Sequence, residues 1–368
     1  MQILNASTLS MSGSSYDIGF RLGKMAAAIP PFRAVHSSGM QLSNEDISLA
    51  QSLFNEWCPG LNDEIHGFAD ALSIAPIQMT YYAMTYLVPR CSQIAIMPGL
   101  SENGHVLMAR SYEFHYEMDD LTLMKTSVSG KFAHIGSSVL SLGRYEGINE
   151  HGLGVTMSSC GIPVGPSESM RKPQLRGLQF WAVIRALLEN CKDVSEALLY
   201  LKDMPIAYNI NLILADRTGH AALFETLDGR SAYRLVDDTK EYLCATNHVL
   251  LDALKPFETV AMSNSINRVS TIQSFIDERK SIAADDLKAL LLTNYPEGLC
   301  CHDYKGFFGT TKSMIMDLND GTIDVCWGGQ PENGWQTYSI SSPFEDSTRP
   351  IRIEQRSMTP DFFAMKNV

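Results

Sequence analysis

The chain changes texture at residue 90, and that boundary limits what it can fold into more than any other feature. Residues 1–90 carry four Lys or Arg and seven Asp or Glu and, after a short extended N-terminus, read as helix. Leu49, Leu53 and Trp57 recur at i, i+4 and i+8, and Leu61, Ile65, Phe68 and Leu72 make a second stripe. That period gathers apolar side chains on one helical face. Asn44, with Glu45 and Asp46 behind it, marks the start of the first of these helices, because carboxylates in an opening turn face the positive end of the helix dipole. A third helix is predicted over 77–87.

After Arg90, short β-type runs with turn punctuation take over. Residues 92–97 and 105–110 flank Asn103 and Gly104, a pair suited to a tight hairpin. Further strands are predicted over 121–128 and 133–138, and a second hairpin over 145–149 and 152–157. Helical patterning returns over 173–190 and 194–202. Strands follow over 209–215 and 221–225, turned by Asp216, Arg217, Thr218 and Gly219. Helices over 265–277 and 284–292 precede a closing hairpin, 312–318 with 322–327. Blocks of strands separated by paired helices predict an α+β layered architecture, with helices on the outer faces of sheets.

Composition removes whole classes of function. The 368 residues are 45% hydrophobic and 19% charged, an ordinary globular balance that excludes disorder and fibrous structure and allows either two domains or one large layered one. A net charge of -12 without a basic block excludes nucleic acid as a partner. The N-terminus lacks the basic flank and apolar stretch of a secretory signal, and no window approaches the ~18 apolar residues of a membrane span. A soluble, cytoplasmic protein with no membrane partner is therefore expected. The elbow of serine esterases, the paired histidines of zinc proteases, and the phosphate-binding loops of nucleotide enzymes are all missing.

Eight cysteines, at 58, 91, 160, 191, 244, 300, 301 and 326, are too sparse for a disulfide scaffold and show no C-x-x-C spacing. Cys300, Cys301, His302 and Asp303 are contiguous, and neighbours cannot easily converge on one ion. Neither metal nor cofactor is expected. Cys91 is different because it stands at the texture boundary, directly after Pro89 and Arg90. If the Arg90–Cys91 bond were cut, Cys91 would gain an α-amine of pKa about 8 beside its own thiol. One residue would then supply nucleophile and general base, which suits a chain whose nine histidines show no pairing with a cysteine. The plainer reading is a buried cysteine at the start of a strand.

These residues carry a resemblance. Cys91 and Ser92 opening a strand, Asn103 and Gly104, the run from Arg110 to Glu113, the run from Gly147 to Gly154, Asp216, the run Thr246, Asn247 and His248, Ser263 to Arg268, and the run from Trp327 to Pro331 arrive in a familiar order. The chain resembles the N-terminal nucleophile hydrolases, in the branch of the acyl-coenzyme A:6-aminopenicillanic acid acyltransferases and choloylglycine hydrolases. Its Gly13 to Gly19 run and Gly23 resemble the acyltransferase side. The resemblance spans essentially the whole chain.

The resemblance implies a four-layer αββα sandwich and a precursor that cleaves itself between Arg90 and Cys91. Residues 1–90 would stay bound as a helical leader and partner fragment, 91–368 would form the catalytic fragment, and the two would make one layered domain. Retention suits an amphipathic leader, whose apolar stripes must be buried somewhere. By the same resemblance, Arg110 sits near the nucleophilic sulfur, favouring thiolate and holding substrate, and Arg268 lies near the catalytic centre. Glu113 stands where the choloylglycine branch has an aspartate that binds the free α-amine, and its longer side chain must reach by another path. Asn211 matches the side-chain oxyanion donor, with Asn209 on the same strand face as its rival. Relatives carry Asn or Tyr at the second donor position, whereas this chain reads Met157, Ser158, Ser159 and Cys160, leaving Ser159 or a backbone N–H. Asn247 and His248 support the pocket wall. For the charged residues the plainer readings are a surface strand arginine, a solvated hairpin carboxylate and a helix-surface arginine.

The function expected is a self-processing N-terminal cysteine hydrolase that cleaves a linear amide C–N bond through a thioester. Three alternatives stand beside it: an acyltransferase working between a thioester or amide donor and an amine acceptor, a catalytically impaired homologue that only binds, and a thiol protease using Cys160 before Gly161. The expected partners are a small-molecule amide or acyl substrate and the chain's own 1–90 fragment, with room for a homo-oligomer. Bile acid, penicillin side chain, peptide-like amide and fatty acyl amide all remain open as the acyl group.

Overall fold

Strands buried along their whole length, such as Leu107–Phe114, Leu153–Ser159 and Ile210–Asp216, require sheets covered on both faces, and two such sheets carry the fold. The protein is seen in a computed structural model that describes residues 1–37, 42–83, 87–165, 168, 170–237 and 239–368. Among these, the first sheet has ten strands in the order β11 (Arg230–Leu235), β10 (Ala221–Leu227), β9 (Ile210–Asp216), β8 (Leu153–Ser159), β7 (Gly147–Asn149), β5 (His134–Val139), β4 (Thr122–Val128), β1 (Gln2–Gly13) and β18 (Ser347–Ile353), with β6 (Gly143–Arg144) beside β5. The second has seven, in the order β12 (Tyr242–Ala245), β2 (Arg90–Ile96), β3 (Leu107–Phe114), β15 (Phe308–Asp317), β16 (Thr322–Trp327) and β17 (Gln336–Ser339), with β14 (His302–Asp303) beside β15. A small ribbon pairs β13 (Val260–Met262) with β19 (Met365–Asn367).

The helices α1 (Ser15–Ala27), α2 (Pro30–His36), α3 (Asn44–Trp57), α4 (Leu61–Leu72), α5 (Phe180–Asn190), α6 (Val194–Leu201), α7 (Ser263–Asp277) and α8 (Ala284–Leu292) form the outer layers. Ile18, Phe54, Phe68 and Trp181 pack on Val155 and Leu212 of the first sheet. Met108 and Met314 of the second sheet meet Leu123 and Ile213 of the first. Ile94 and Leu107, on the second sheet's far face, meet Ile272 and Leu287 of α7 and α8. Three apolar cores therefore separate four layers, in the order αββα.

Residues 1–90 are more than helical, because β1 lies inside the first sheet, parallel to β4 and antiparallel to β18. Their glycines serve packing: a Cβ at Gly19 would lie 1.9 Å from the Glu64 carbonyl oxygen, and one at Gly23 2.5 Å from that of Phe68. Hence α1 and α4 cross in near backbone contact. On α4, Leu61, Ile65, Phe68 and Leu72 are all buried, as their spacing predicts. The buried stripe of α3 is Ile47, Ala50, Leu53 and Phe54, and its cap is Ser43, whose Oγ accepts from Asp46 N at 3.1 Å.

Several expectations need correction. No helix forms over 77–83; Pro76–Gln78 and Thr80–Ala83 are short 3-10 turns, Leu87 is in no regular element, and residues 84–86 lie outside the described residues. Thr80 Oγ1 donates to Val35 O at 2.7 Å and Tyr81 Oη to Leu140 O, so tertiary partners hold a stretch whose β-branched and aromatic residues form helix poorly. Helix α5 begins at Phe180 rather than 173, because Leu178 pairs with Ile206 in an extended bridge. The hairpin β15–β16 does not close the chain, which runs on through β17 to β18 in the other sheet. Among the described residues no helix is long and apolar enough to cross a membrane.

Candidate active site

Strand β2 begins at Arg90, and its antiparallel register with β3 sets the site. Cys91 lies opposite Tyr112, Gln93 opposite Arg110, and Arg90 opposite Glu113. Because side chains alternate, Cys91, Gln93, Arg110 and Tyr112 face the first sheet, while Arg90, Ser92, Ser111 and Glu113 face the α7 side.

Cys91 is fully buried and held at three atoms. Arg110 Nη2 donates to Sγ at 3.0 Å, Cys91 N–H donates to Asn247 Oδ1 at 3.2 Å, and Arg268 Nη1 donates to Cys91 O at 2.7 Å. Arg110 is fixed in turn by Tyr145 O at 2.9 Å and an ion pair from Nε to Glu146 Oε2 at 3.0 Å. Arg268 also donates to Ser92 Oγ and Asn247 Oδ1, both at 2.8 Å, and to Asn264 Oδ1 at 3.0 Å. Burial pushes the Cys91 thiol up to about 12 despite the opposing pull of Arg110, so in the uncut chain the sulfur is protonated.

Glu113 lies on the other face, beside the bond joining Arg90 to Cys91. Burial raises its carboxyl to about 7, against the pull of Arg268, whose Nη1 is 3.9 Å from Oε2. Ser111 donates to Oε1, and among the described residues Oε2 has no hydrogen-bond donor. Upstream of the same bond, Ser159 Oγ donates to Pro89 O at 2.7 Å, and Asn247 Nδ2 donates to Ser159 O at 3.0 Å. Ser159, Asn247 and Arg268 thus form one buried chain along the backbone around Cys91.

Among the described residues no hydrogen bond joins Asn211 to the sulfur. Its Nδ2 donates to Thr246 O at 3.0 Å and His248 O at 3.1 Å, leaving neither amide hydrogen for an acyl oxygen. Asn209 Nδ2 is likewise turned away, toward Asp228 Oδ1 at 3.3 Å. His248 is a neutral imidazole, lowered by burial to about 4, with Nδ1 2.7 Å from Ser265 Oγ. Sequence reasoning missed Glu146, Gln93 and Asn264. Glu146 directly precedes the Gly147 to Gly154 run, but only the fold shows it paired with Arg110.

All eight cysteines are unpaired and buried, and among the described residues Cys91 alone has a guanidinium on its sulfur. Burial raises Cys160 well above the usual thiol range. Asp303 is turned to loop structure, accepting from Met358 N at 3.0 Å and Gly306 N at 3.1 Å. Beside Arg90 opens a cavity of about 500 Å3, walled by Leu87, Val88, Phe114, Met118, Phe307 and Phe308 among others.

No curated protein sequence matches the chain. Among solved structures it is similar to penicillin V acylase from Agrobacterium tumefaciens, at 17% identity over 64% of this chain and 83% of that one, with a TM-score of 0.43. It is also similar to a mutant of conjugated bile acid hydrolase from Clostridium perfringens, at 12% identity over 73% of this chain and 99% of that one, with a TM-score of 0.46. The model of one family, acyl-coenzyme A:6-aminopenicillanic acid acyl-transferase, matches residues 100–332, a span that begins just after the hairpin strand carrying Cys91 and takes in Arg110, Glu113 and Arg268. With that match covering well over half of its length, the chain belongs to the acyl-coenzyme A:6-aminopenicillanic acid acyl-transferase family.

Proposed function

We propose that the chain is a self-processing N-terminal cysteine enzyme that cleaves a linear amide C–N bond through a thioester, with Cys91 as nucleophile. One observation carries this reading: Cys91, the second residue of β2, is held at sulfur, N–H and carbonyl by Arg110, Asn247 and Arg268, directly after the bond to be cut.

In processing, Sγ attacks the Arg90 carbonyl carbon, and the Arg90–Cys91 C–N bond breaks. The thiol proton ends on the released amine, and a thioester joins Arg90 to Cys91. Water then hydrolyses the thioester, giving a carboxylate on Arg90 and a free thiol and α-amine on Cys91. The guanidinium of Arg110 favours the thiolate during attack. Glu113 Oε2, buried and among the described residues without a hydrogen-bond donor, is the acceptor we assign to the new ammonium. In turnover the α-amine takes the thiol proton, sulfur attacks the substrate carbonyl, and the ammonium protonates the leaving amine. Departure of Arg90 allows Ser159 Oγ to turn from Pro89 O toward an acyl oxygen, and with Asn247 it is the donor pair we assign to the oxyanion. Water completes hydrolysis; an amine acceptor completes acyl transfer, a second reading that the family's description supports.

Intact mass and N-terminal sequencing of the purified protein test the proposal. A fragment beginning at Cys91 is expected, together with a Cys91→Ala variant that stays whole. A wild-type chain that remains uncut in native buffer, or a Cys91→Ala chain that still cuts, would overturn it. Product partitioning with and without an added amine separates hydrolysis from transfer.

A further inference from the structure

We propose that the last residues of the leader, Leu87 and Val88, remain after cleavage as one wall of the acyl pocket, so that the 1–90 fragment sets acyl specificity. This inference rests on the self-processing reading above. In processing, the Arg90 carbonyl is the acyl group, so a later substrate must place its own carbonyl where Arg90 stood. The space beyond that carbonyl is the cavity of about 500 Å3, a size suited to small-molecule ligands.

Two buried hydrogen bonds from the catalytic fragment hold the tail before the cut, and one of them, from Tyr208, is independent of it. Tyr208 Oη donates to Leu87 O and Ser159 Oγ to Pro89 O, each at 2.7 Å. Leu87 is itself buried. Turning of Ser159 toward a substrate leaves the Tyr208 bond and the packing of Leu87 in place. The Arg90 side chain has no such anchor: its Nη1 is buried without a hydrogen-bond partner among the described residues. An unpaired guanidinium facing an apolar cavity gains by leaving for water, so cutting frees Arg90 while residues 87 and 88 stay.

Apart from Arg90, the described walls carry no charge. Phe114, Phe307 and Phe308 line the cavity together with Met118 and the leader's Val88. Such a space takes an uncharged aromatic or alkyl acyl group, and thioether side chains let it adapt to shape. Val88 is the leader's contribution whose size a substrate would feel.

The test compares the wild-type protein with Val88→Trp and Val88→Ala on p-nitroanilides of acetic, hexanoic and decanoic acids. Val88→Trp should raise KM for the decanoyl anilide by about tenfold or more while leaving the acetyl anilide within about twofold, and Val88→Ala should shift preference toward longer chains. Binding of the neutral fluorophore N-phenyl-1-naphthylamine reads the cavity without chemistry and should weaken about fivefold or more in Val88→Trp. An uncut or inactive wild-type protein would sink the self-processing reading. Identical chain-length profiles or identical fluorophore affinities in wild type and Val88→Trp would overturn the leader wall itself. Should Val88→Trp fail to fold, an unchanged Val88→Ala profile would overturn it equally.

Discussion

At the scale of single residues, the proposed chemistry rests on one contact, Arg110 to Cys91 Sγ at 3.0 Å. A hydrogen bond from a charged donor is worth about 1.5–3 kcal/mol, so Arg110→Ala should slow self-cleavage by about 10- to 100-fold, read as the half-time of precursor loss on a denaturing gel. Arg110→Lys should recover little, because one ammonium cannot reach the sulfur, Tyr145 O and Glu146 together. An unchanged half-time would remove Arg110 from the chemistry. Glu113 gives a pH dependence. Burial raises its folded pKa from 4.5 to about 7, so its contribution to stability is full below about pH 4.5 and is lost as pH climbs through 7. In the uncut Cys91→Ala chain the loss should reach about 3 kcal/mol from this group. Glu225, also raised by burial to about 7, adds to the same window. The gap between urea midpoints at pH 4.5 and 7.5 should narrow when Glu113→Gln is added, with Glu225 keeping its share, and an unaltered gap would mean the Glu113 carboxylate is already compensated. The motif order pointed to Arg110, Glu113 and Arg268. The direction of the Asn211 amide is set by the Thr246 and His248 carbonyls, far along the chain, and no local spacing records it.

At the scale of elements, helix packing explains the leader's glycines. A side chain at Gly19 would meet the Glu64 carbonyl, a backbone atom that cannot step aside without moving α4. Gly19→Leu should therefore cost about 3 kcal/mol or more, seen as a drop in Tm or loss of soluble protein, and a near-neutral result would show that α1 and α4 pack loosely. Both α3 and α4 were legible because their apolar spacing is local. The 77–87 stretch was misread because Thr80 and Tyr81 hold positions dictated by distant carbonyls. Strand β11 was missed for a different reason: it is mostly exposed and shows no alternation of apolar and polar residues.

At the scale of the whole molecule, cutting the chain should not divide the particle. Strand β1 is paired on both sides, and Glu64 on the leader's α4 accepts from Arg185 Nη1 on α5 at 2.9 Å, which in turn donates from Nε to Glu189 at 2.8 Å. Both fragments should co-elute in size-exclusion chromatography and unfold in one transition. Their separation in native buffer near neutral pH would refute a shared core. Burial alone would raise Glu189, but Arg185 and Lys131 outweigh it and hold the carboxyl near 2, so this network's contribution is lost as pH falls from 4.5 toward 2, and the fragments should part there. By itself the sequence determined what neighbours within a few residues decide: the helical stripes, the hairpin turns, the break in texture at residue 90 and the order of the motifs around Cys91. Only the tertiary structure decided that β1 and β18 join one sheet, that Glu146 backs Arg110, that Asn211 turns away, and that Leu87 and Val88 border a cavity. Each of these depends on two sheets bringing distant segments into contact, and no local periodicity records which segments those are.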